Sequence, residues 1–364
     1  MSDQRNEMSR SSDRPLVLVT GSSGMLGDAM LRRRSGDLQF VGFDFAGNTV
    51  PVREAEGIDM DLGRDESVDA SLERVAFAYG TSVHAVVHLA AYVDFSSEDS
   101  PMYDKVTVEG SRRLLDKLHE KGFEVGRFIF SSSMLAHEPT EPGDPIDEDS
   151  ALGAKWGYPQ SKIDAENVIR EHAGDYPTTF LRIAGVYTED CGAPTLAQQM
   201  HRIYESSLKS HVLPGNPERG QAFVHLEDTL DALERAIDKP DAQPNRAVYL
   251  IGEPETFTYQ ELQDAMGEAL HGVEEWKTIR VPEELAEVGA ATENYASRLP
   301  GVREPFIKPF MIDMADDHYE IDISRAKKDL GWEPKHRLID EIPTMCQRLK
   351  DDPAAWREKN GIES

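Results

Sequence analysis

Two residues four positions apart, Tyr158 and Lys162, form the pair in this sequence best suited to proton transfer. They fall at the start of a helix predicted from about 159 to 172, so both side chains project from one face. A free tyrosine, with a pKa of about 10, is a poor base at neutral pH. A nearby ammonium favours the phenolate, so we expect Lys162 to lower the pKa of Tyr158. Tyr158 could then accept a hydroxyl proton or return one to a carbonyl.

Ser133 is the third candidate for this chemistry. It ends a strand predicted over 128–133, and ligand crevices open at the carboxyl ends of parallel strands. A hydroxyl at that point can hydrogen-bond the reacting oxygen and steady its charge. Because Tyr-x-x-x-Lys by itself often occurs by chance, this interpretation depends on a cofactor site elsewhere in the chain.

A glycine-rich turn, Gly21-x-x-Gly24-x-x-Gly27, predicts that site. It lies between a predicted strand, 15–20, and a predicted helix. Gly21 allows the sharp turn, Gly24 lets the backbone approach a pyrophosphate, and Gly27 permits close packing of helix on strand. The N-terminus of the helix supplies N–H groups and a partial positive charge.

Asp44 indicates which dinucleotide binds, because it closes the second predicted strand, 40–45. A carboxylate there accepts hydrogen bonds from the adenine ribose hydroxyls and repels a 2′-phosphate. The sequence therefore favours NAD over NADP as the cofactor. The positive nicotinamide ring of NAD⁺ would favour the Tyr158 phenolate further.

Several stretches between about residue 15 and residue 334 resemble one family, the NAD-dependent epimerase/dehydratase family, which is the extended branch of the short-chain dehydrogenases. Three of them match the family's glycine motif, adenine loop and HxAA motif: 20–27 (TGSSGMLG), 59–62 (DMDL) and 88–91 (HLAA). The remaining matches are the active-site residues 131–133, Tyr158 and Lys162, and the later signatures 181–187, 223–228 and 330–334.

The resemblance implies which residues hold NAD and which carry the reaction. The implied catalytic set is Ser133, Tyr158 and Lys162. The implied cofactor contacts are Gly21, Ser23, Gly24, Met25, Leu26, Gly27, Asp44, Asp61, Leu62, Leu89, Ala90, Ala91, Tyr158 and Lys162.

Departures from the family pattern bear on the substrate. Family 4,6-dehydratases carry Asp-Glu after the active-site Ser or Thr, and nucleotide-sugar decarboxylases carry a Glu there, but this chain has Met134 and Leu135. Many members that act on sugar nucleotides bind the diphosphate with an Asn and an Arg, where this chain has Gly185 and Gln221, with Arg219 nearby. A diphosphate without that clamp loses several charge-assisted hydrogen bonds. The candidate substrate contacts are Ser133, Met134, Gly185, Arg219 and Gln221.

Three functions stay open at this point. The leading one is an NAD-dependent oxidoreductase or epimerase that transfers hydride at a secondary alcohol of a sugar or nucleotide sugar. The second keeps the chemistry but acts on a non-nucleotide ketone or alcohol. The third, a nucleotide-sensing regulator without turnover, is disfavoured by the intact pair of Tyr158 and Lys162.

Short apolar runs alternate with helical patterns, which predicts an α/β fold with a Rossmann-type, doubly wound parallel sheet and a smaller C-terminal substrate-binding lobe. We expect a flexible tail at 1–13 and an NAD-binding Rossmann domain at 14–188, to which 222–252 returns. The substrate-binding lobe is predicted at 189–221 and 253–345, followed by a C-terminal tail helix at 346–364.

Composition limits the partners. The net charge of −28, from 67 acidic against 39 basic side chains, would repel phosphate backbones, so we expect no nucleic-acid partner. A solubilising surface and a salt-adapted host both explain this acidity. No apolar run approaches the roughly 20 residues of a membrane span, and residues 1–14 lack a signal-peptide core.

Cysteine and histidine usage points to the cytoplasm and away from metals. Two cysteines, Cys191 and Cys346, provide no disulfide framework and suit a reducing compartment. The 11 histidines show no paired metal spacing, so we expect no metal cofactor. The family resemblance further implies a homodimer, joined by a four-helix contact between helices near 102–120 and 159–172.

Overall fold

A computed structural model describes residues 14–33, 37–48, 55–94, 99–206, 208–239, 243–281 and 315–362. The predicted tail at 1–13 and the stretch 282–314 of the predicted lobe lie outside these residues. Within the described part of the chain, no helix has both the length and the apolar character needed to cross a bilayer.

Seven parallel strands form the central sheet. Their spatial order is β12 (Ala247–Ile251), β8 (Thr178–Ile183), β7 (Phe128–Ser133), β5 (Ala85–His88), β1 (Leu16–Thr20), β2 (Gln39–Asp44) and β3 (Ala55–Asp59). Three short parallel pairs lie outside it: β4 (Ser82–Val83) with β6 (Glu124–Val125), β9 (Gly185–Tyr187) with β11 (Phe223–His225), and β10 (Val212–Pro214) with β13 (Ile279–Val281). Strands such as β1, with all five residues buried, are apolar except at the end, where β1 has Thr20, because helices cover both faces of the sheet. The predicted Rossmann-type α/β fold is confirmed.

Helices cover the sheet on both sides and build a third core beyond it. They are α1 (Met25–Arg33), α2 (Asp65–Tyr79), α3 (Glu109–Glu120), α4 (Gly157–His172), α5 (Pro194–Glu205), α6 (Leu226–Asp238), α7 (Tyr259–His271), α8 (Ser324–Leu330), α9 (Leu338–Asp351) and α10 (Pro353–Lys359). A π-helical stretch, Tyr103–Val108, leads into α3, and 3-10 turns lie at Met134–Ala136 and Leu208–His211. Side chains of α1, α6 and α8 pack on one face of the sheet, those of α2, α3 and α4 on the other. The third core joins α5, α7, α9 and α10.

The strand predicted across 178–187 is interrupted, and the interruption shapes the site. Ala184 still donates to Ile251 O at 2.8 Å, but Gly185 N donates to Ala222 O at 3.4 Å. The chain thus leaves the central sheet after β8 and pairs with β11 as β9. This change of partner carries Gly185 and Val186 into the cleft above the sheet.

The C-terminal helix also differs from its predicted bounds. A helix expected from 346 begins at Leu338 and ends at Asp351, where Asp352 and Pro353 start a second helix. Proline lacks the N–H that a continuing helix needs. The segment is not a detached tail, since Met345, Cys346 and Leu349 are buried in the third core.

Candidate active site

Two adjoining cavities lie at the carboxyl ends of β1, β5, β7 and β8. The first, which we call the glycine cavity, has a volume of about 240 Å³ and is lined by Thr20, Gly21, Ser23, Gly24, Phe43, Asp44, Phe45, Met60, Leu62, Leu89, Ala90, Ala91 and Val106. The second, the tyrosine cavity, has a volume of about 380 Å³ and is lined by Met25, Leu26, Leu89, Ala91, Val93, Ser131, Ser132, Ser133, Met134, Leu135, Tyr158, Lys162, Ile183, Ala184, Gly185, Val186, Gly192, Ala193, Pro194, Thr195, Gln221 and Phe223. Leu89 and Ala91 line both cavities, so the two are neighbours along one edge of the sheet.

Steric limits at the glycine turn shape the glycine cavity. Gly21 has a φ of +71°, and a Cβ there would lie 2.8 Å from Ala90 N. A Cβ on Gly27 would lie 2.3 Å from Gly21 O, so only glycine lets α1 pack this closely. Gly24 lines the cavity, and its Cβ would approach Gly21 O no closer than 3.4 Å. The first N–H groups of α1, which have no intrahelical acceptor, therefore adjoin a space that fits a pyrophosphate.

Asp44 holds the glycine turn from the end of β2. Its Oδ2 accepts hydrogen bonds from Ser23 N at 2.9 Å and from Ser23 Oγ at 2.6 Å, and its Oδ1 accepts one from Phe45 N at 2.8 Å. Phe45 and Met60 add apolar surface that a purine base would cover. The residues present thus fit a dinucleotide with an unphosphorylated ribose at Asp44.

One expected cofactor contact, Asp61, is not among the residues that line the glycine cavity. Its Oδ1 accepts from Gly63 N at 2.8 Å and its own N–H donates to Ser67 Oγ at 2.9 Å, which shapes the turn before α2. Its neighbours Met60 and Leu62 line the cavity instead. The contact of Asp61 with the cofactor stays a prediction, and its neighbours in the same loop are the residues that line the cavity.

The other expected cofactor contacts divide between the two cavities. Met25 and Leu26 line the tyrosine cavity, and Gly27 is buried beneath the turn.

A buried hydrogen-bond relay, which sequence reasoning did not identify, supports the floor of the glycine cavity. Ala90 N–H donates to Thr20 Oγ1 at 3.3 Å, and the Thr20 hydroxyl lies 2.6 Å from His88 Nδ1. On the other side of the ring, Nε2 lies 2.9 Å from Ser111 Oγ, which donates to Thr107 O at 2.5 Å. Because the Ser111 hydroxyl donates to Thr107 O, its oxygen accepts from His88 Nε2–H, and a neutral ring then accepts the Thr20 hydroxyl proton at Nδ1. Burial, and then the charge of Lys162, lower the pKa of His88 to about 3 and keep it neutral.

Ser133, Tyr158 and Lys162 line the tyrosine cavity together. Tyr158 lies in the first turn of α4, with its ring centroid 5.5 Å from that of Trp156 and 5.7 Å from Lys162 Nζ. The expected lowering of the Tyr158 pKa is not what the structure shows. Burial raises the pKa of Tyr158 to about 12, and a hydrogen bond with Ser133 offsets this only in part. Tyr158 is therefore a protonated phenol, which suits it to donate a proton.

Lys162 is buried, and this explains why it does not act on Tyr158 as expected. Its Nζ donates to Ser131 O at 2.6 Å and lies 4.8 Å from the centre of the Phe130 ring. Burial lowers the pKa of Lys162 to about 7, while Glu166, one turn further along α4, acts in the opposite direction. Glu166 is itself held by Ser132 at 2.6 Å and by Arg182 at 2.8 Å. Lys162, Ser132, Glu166 and Arg182 thus form a buried, hydrogen-bonded polar network beside the cavity.

Comparison with known proteins shows which family has this arrangement of residues. Residues 17–252 match the NAD dependent epimerase/dehydratase family. The chain belongs to this family. Membership confirms the resemblance seen in the sequence and, with it, the expected cofactor, NAD.

The relatives that this chain resembles have names that refer to different reactions and substrates. Human 3 beta-hydroxysteroid dehydrogenase type 7 is 24% identical, covering 88% of this chain and 91% of the relative. UDP-glucose 4-epimerase of Bacillus subtilis is 24% identical over 94% of this chain and 97% of the epimerase. Among solved structures, UDP-glucose 4-epimerase of Thermotoga maritima with UDP-glucose has a TM-score of 0.67 at 20% identity, covering 92% of this chain and 99% of that one. This likeness shows a shared fold.

The expected substrate contacts of this family member are only partly brought together. Ser133, Met134, Gly185 and Gln221 all line the tyrosine cavity. Arg219 is not among the lining residues, and its guanidinium instead pairs with Glu141, with N–O distances of 2.7 and 2.9 Å. The idea that Arg219 could replace a missing phosphate clamp is therefore not supported by its position.

Several lining residues were not identified from the sequence as site residues. In the tyrosine cavity they include the apolar residues Leu135, Ile183, Val186, Ala193, Pro194 and Phe223 and the polar residue Thr195. In the glycine cavity they include Phe43, Phe45, Met60 and Val106. Their positions near the ends of predicted strands could have indicated a role in the site. An apolar residue at the end of a strand is, however, equally typical of the hydrophobic core.

Proposed function

We propose that the protein is an NAD-dependent oxidoreductase that interconverts a secondary alcohol and its ketone in the tyrosine cavity. The observation that carries this proposal is the convergence of Ser133, Tyr158 and Lys162 on a cavity that shares two lining residues with the glycine cavity. NAD, when bound, supplies the hydride acceptor for alcohol oxidation, and its reduced form supplies the donor for ketone reduction.

The side chains of the site would handle the proton and the charge on the reacting oxygen. In ketone reduction, the Tyr158 hydroxyl donates its proton to the carbonyl oxygen as the carbon receives hydride, and in oxidation the phenolate accepts that proton back. The Ser133 hydroxyl lies beside Tyr158 and can donate a hydrogen bond to the same oxygen. Lys162, fixed by Ser131 O, adds positive charge behind the phenol only in the fraction of molecules in which it is protonated, because burial lowers the pKa of Lys162 to about 7.

Two substrate classes fit this chemistry. A sugar or nucleotide sugar was the leading expectation, and epimerisation would follow if the ketone stayed bound and received hydride on its other face. A non-nucleotide alcohol or ketone is the second. The apolar walls of the tyrosine cavity favour the second class.

The raised pKa of Tyr158 leads to a pH prediction that tests the proposed function. Oxidation needs the phenolate, whose fraction rises about tenfold per pH unit below the pKa of about 12. We expect kcat/KM for alcohol oxidation to increase from about pH 7 to about pH 10, whereas kcat/KM for ketone reduction stays level. NADH absorbance, followed in both directions with a panel of secondary alcohols and their ketones, measures this. An oxidation rate that is independent of pH would contradict the role of Tyr158.

Asp44 provides a test of cofactor choice. We expect NAD to bind at least about tenfold more tightly than NADP, because the carboxylate would repel a 2′-phosphate. Asp44→Ser should narrow this difference by removing the charge. Calorimetric titration of both dinucleotides into both proteins measures it, with Asp28→Ser on the exposed side of α1 as a charge-matched control. Equal affinity of the unmodified protein for the two dinucleotides would refute the assignment.

We further propose the domain organisation expected from the sequence. Residues 14–188 and 222–252 bind NAD, and residues 189–221 and 253–345 bind the substrate. The position of β12 inside the central sheet supports the return of 222–252 to the first lobe. The homodimer through α3 and α4 also stays a proposal, which light scattering of the purified protein would test.

A further inference from the structure

Most side chains that line the tyrosine cavity are apolar. Ser133 and Tyr158 supply its reactive hydroxyl groups. The apolar side chains of the lining are Met25, Leu26, Leu89, Val93, Met134, Leu135, Ile183, Ala184, Val186, Ala193, Pro194 and Phe223. A ligand that fills such a cavity gains free energy from every apolar surface that it removes from water.

The remaining polar side chains of the lining are already hydrogen-bonded. Ser131 Oγ donates to His88 O at 3.4 Å, and Ser132 Oγ donates to Glu166 at 2.6 Å. Gln221 Nε2 donates to Thr195 Oγ1 at 3.4 Å. Ser131 and Ser132 thus donate their hydroxyl protons within the protein, while Thr195 and Gln221 keep further hydrogen-bonding capacity. A substrate covered with hydroxyl groups would place most of them against the apolar side chains, and a buried hydroxyl without a partner is costly.

Charge in the lining also disfavours a phosphate. Among the lining residues that the structure describes, Lys162 is the one cation, and its Nζ is directed to Ser131 O. Arg219 is held by Glu141, as described above. A diphosphate placed here would lose its hydration without receiving the charge-assisted hydrogen bonds that normally compensate for it.

Phe223 is one of the apolar residues that line the cavity, and it lies against Gly185. A Cβ on Gly185 would lie 2.8 Å from Phe223 Cδ1, so the aromatic ring occupies the space that any side chain at position 185 would need. The backbone pairing of β9 with β11 fixes this contact, with Phe223 opposite Gly185. Phe223 and Val186 thus present an apolar surface where a polar side chain cannot be accommodated.

We propose that the substrate of the tyrosine cavity is a lipophilic secondary alcohol or ketone, with an uncharged hydrocarbon body and no phosphate handle. Phe223, Val186 and Leu135 are specificity-determining residues for that body. This inference rests on the proposed hydride-transfer function and names the substrate class of the same site.

Calorimetry on the full chain saturated with NADH tests the proposal, since alcohols cannot be oxidised in that complex. The probes are trans-decahydro-2-naphthol, a fused-ring secondary alcohol; myo-inositol, a ring polyol; and UDP-glucose. We expect the naphthol derivative to bind at least about tenfold more tightly than either polar probe. Val186→Thr, which keeps the shape but adds a hydroxyl, should raise its Kd about five- to tenfold. Val273→Thr, at a surface position 40% exposed, is the matched control and should leave the Kd unchanged.

Each outcome decides the question. Tighter binding of UDP-glucose or myo-inositol, an unaltered Kd in Val186→Thr, or no binding of the naphthol derivative would overturn the proposal. If UDP-glucose binds more tightly and its turnover still needs Tyr158, the substrate class is wrong while the hydride-transfer function stands. If the naphthol derivative binds as expected but no alcohol or ketone shows turnover dependent on Tyr158, the apolar site stands and the proposed function fails.

Discussion

Replacing Tyr158 with phenylalanine is expected to lower turnover by about 10²–10⁴-fold, the range typical of losing a positioned general acid or base. The substitution removes one oxygen and keeps the ring, which packs 5.5 Å from Trp156 between ring centroids. The fold and the affinity for NAD should therefore persist. Initial rates with the best alcohol of the panel, melting temperature and calorimetric NAD affinity together measure these effects.

Tyr79→Phe is the matched control for this variant. This substitution also removes a single phenolic hydroxyl. In the unmodified protein that hydroxyl donates to Glu56 at 2.5 Å, and neither residue lines either cavity. We expect turnover close to that of the unmodified protein. A Tyr158→Phe protein with an unchanged rate would remove the basis for the catalytic assignment.

Adding one methyl group to the glycine turn is expected to have very different effects at two positions. In Gly27→Ala the new Cβ would lie 2.3 Å from Gly21 O and 2.7 Å from Ser22 Cα, so α1 must move away from the turn that follows β1. Forcing extra volume into a packed site costs about 1–3 kcal/mol or more. We expect a lower melting temperature and loss of measurable NAD binding.

Gly24→Ala is the comparison that separates folding from cofactor binding. Its Cβ would stand 3.4 Å from Gly21 O and would project at the glycine cavity, so the fold should tolerate it. NAD affinity should fall by about tenfold or more, because the methyl group occupies space that the pyrophosphate needs. Thermal melting and calorimetric titration of both variants are the measurements. A Gly24→Ala protein that binds NAD normally would show that the pyrophosphate lies elsewhere.

Local sequence was sufficient for the elements whose structure depends on near neighbours. The strand predicted at 128–133 has those bounds in β7, and the helix predicted from 159 starts two residues earlier, at Gly157. The glycine turn was predictable because the backbone requires glycine at fixed positions. The φ of Gly21 is positive, and a Cβ on Gly27 would clash with Gly21 O. Because such requirements act between residues a few positions apart, the spacing of the residue types along the chain reveals them.

Long-range packing decided what the sequence could not. The composition of 178–187 predicts one continuous strand. In the structure Ala184 N–H donates to Ile251 O and Gly185 N–H donates to Ala222 O, so the strand is divided at Ala184. The same split brings Phe223 against Gly185, a contact between residues far apart in the chain. Arg219 lies two residues from Gln221, yet its pairing with Glu141 leaves it outside the lining of the cavity.

The sequence by itself determined the family, the cofactor class and the three residues proposed for catalysis, because each is carried by residue types at short, fixed spacings. Tertiary structure alone decided the direction in which the pKa values of Tyr158 and Lys162 shift and the apolar character of the tyrosine cavity. The four-residue spacing of Tyr158 and Lys162 implied a lowered tyrosine pKa, whereas burial by many distant side chains raises it to about 12. Desolvation depends on everything that surrounds a group, and only the folded chain specifies those surroundings.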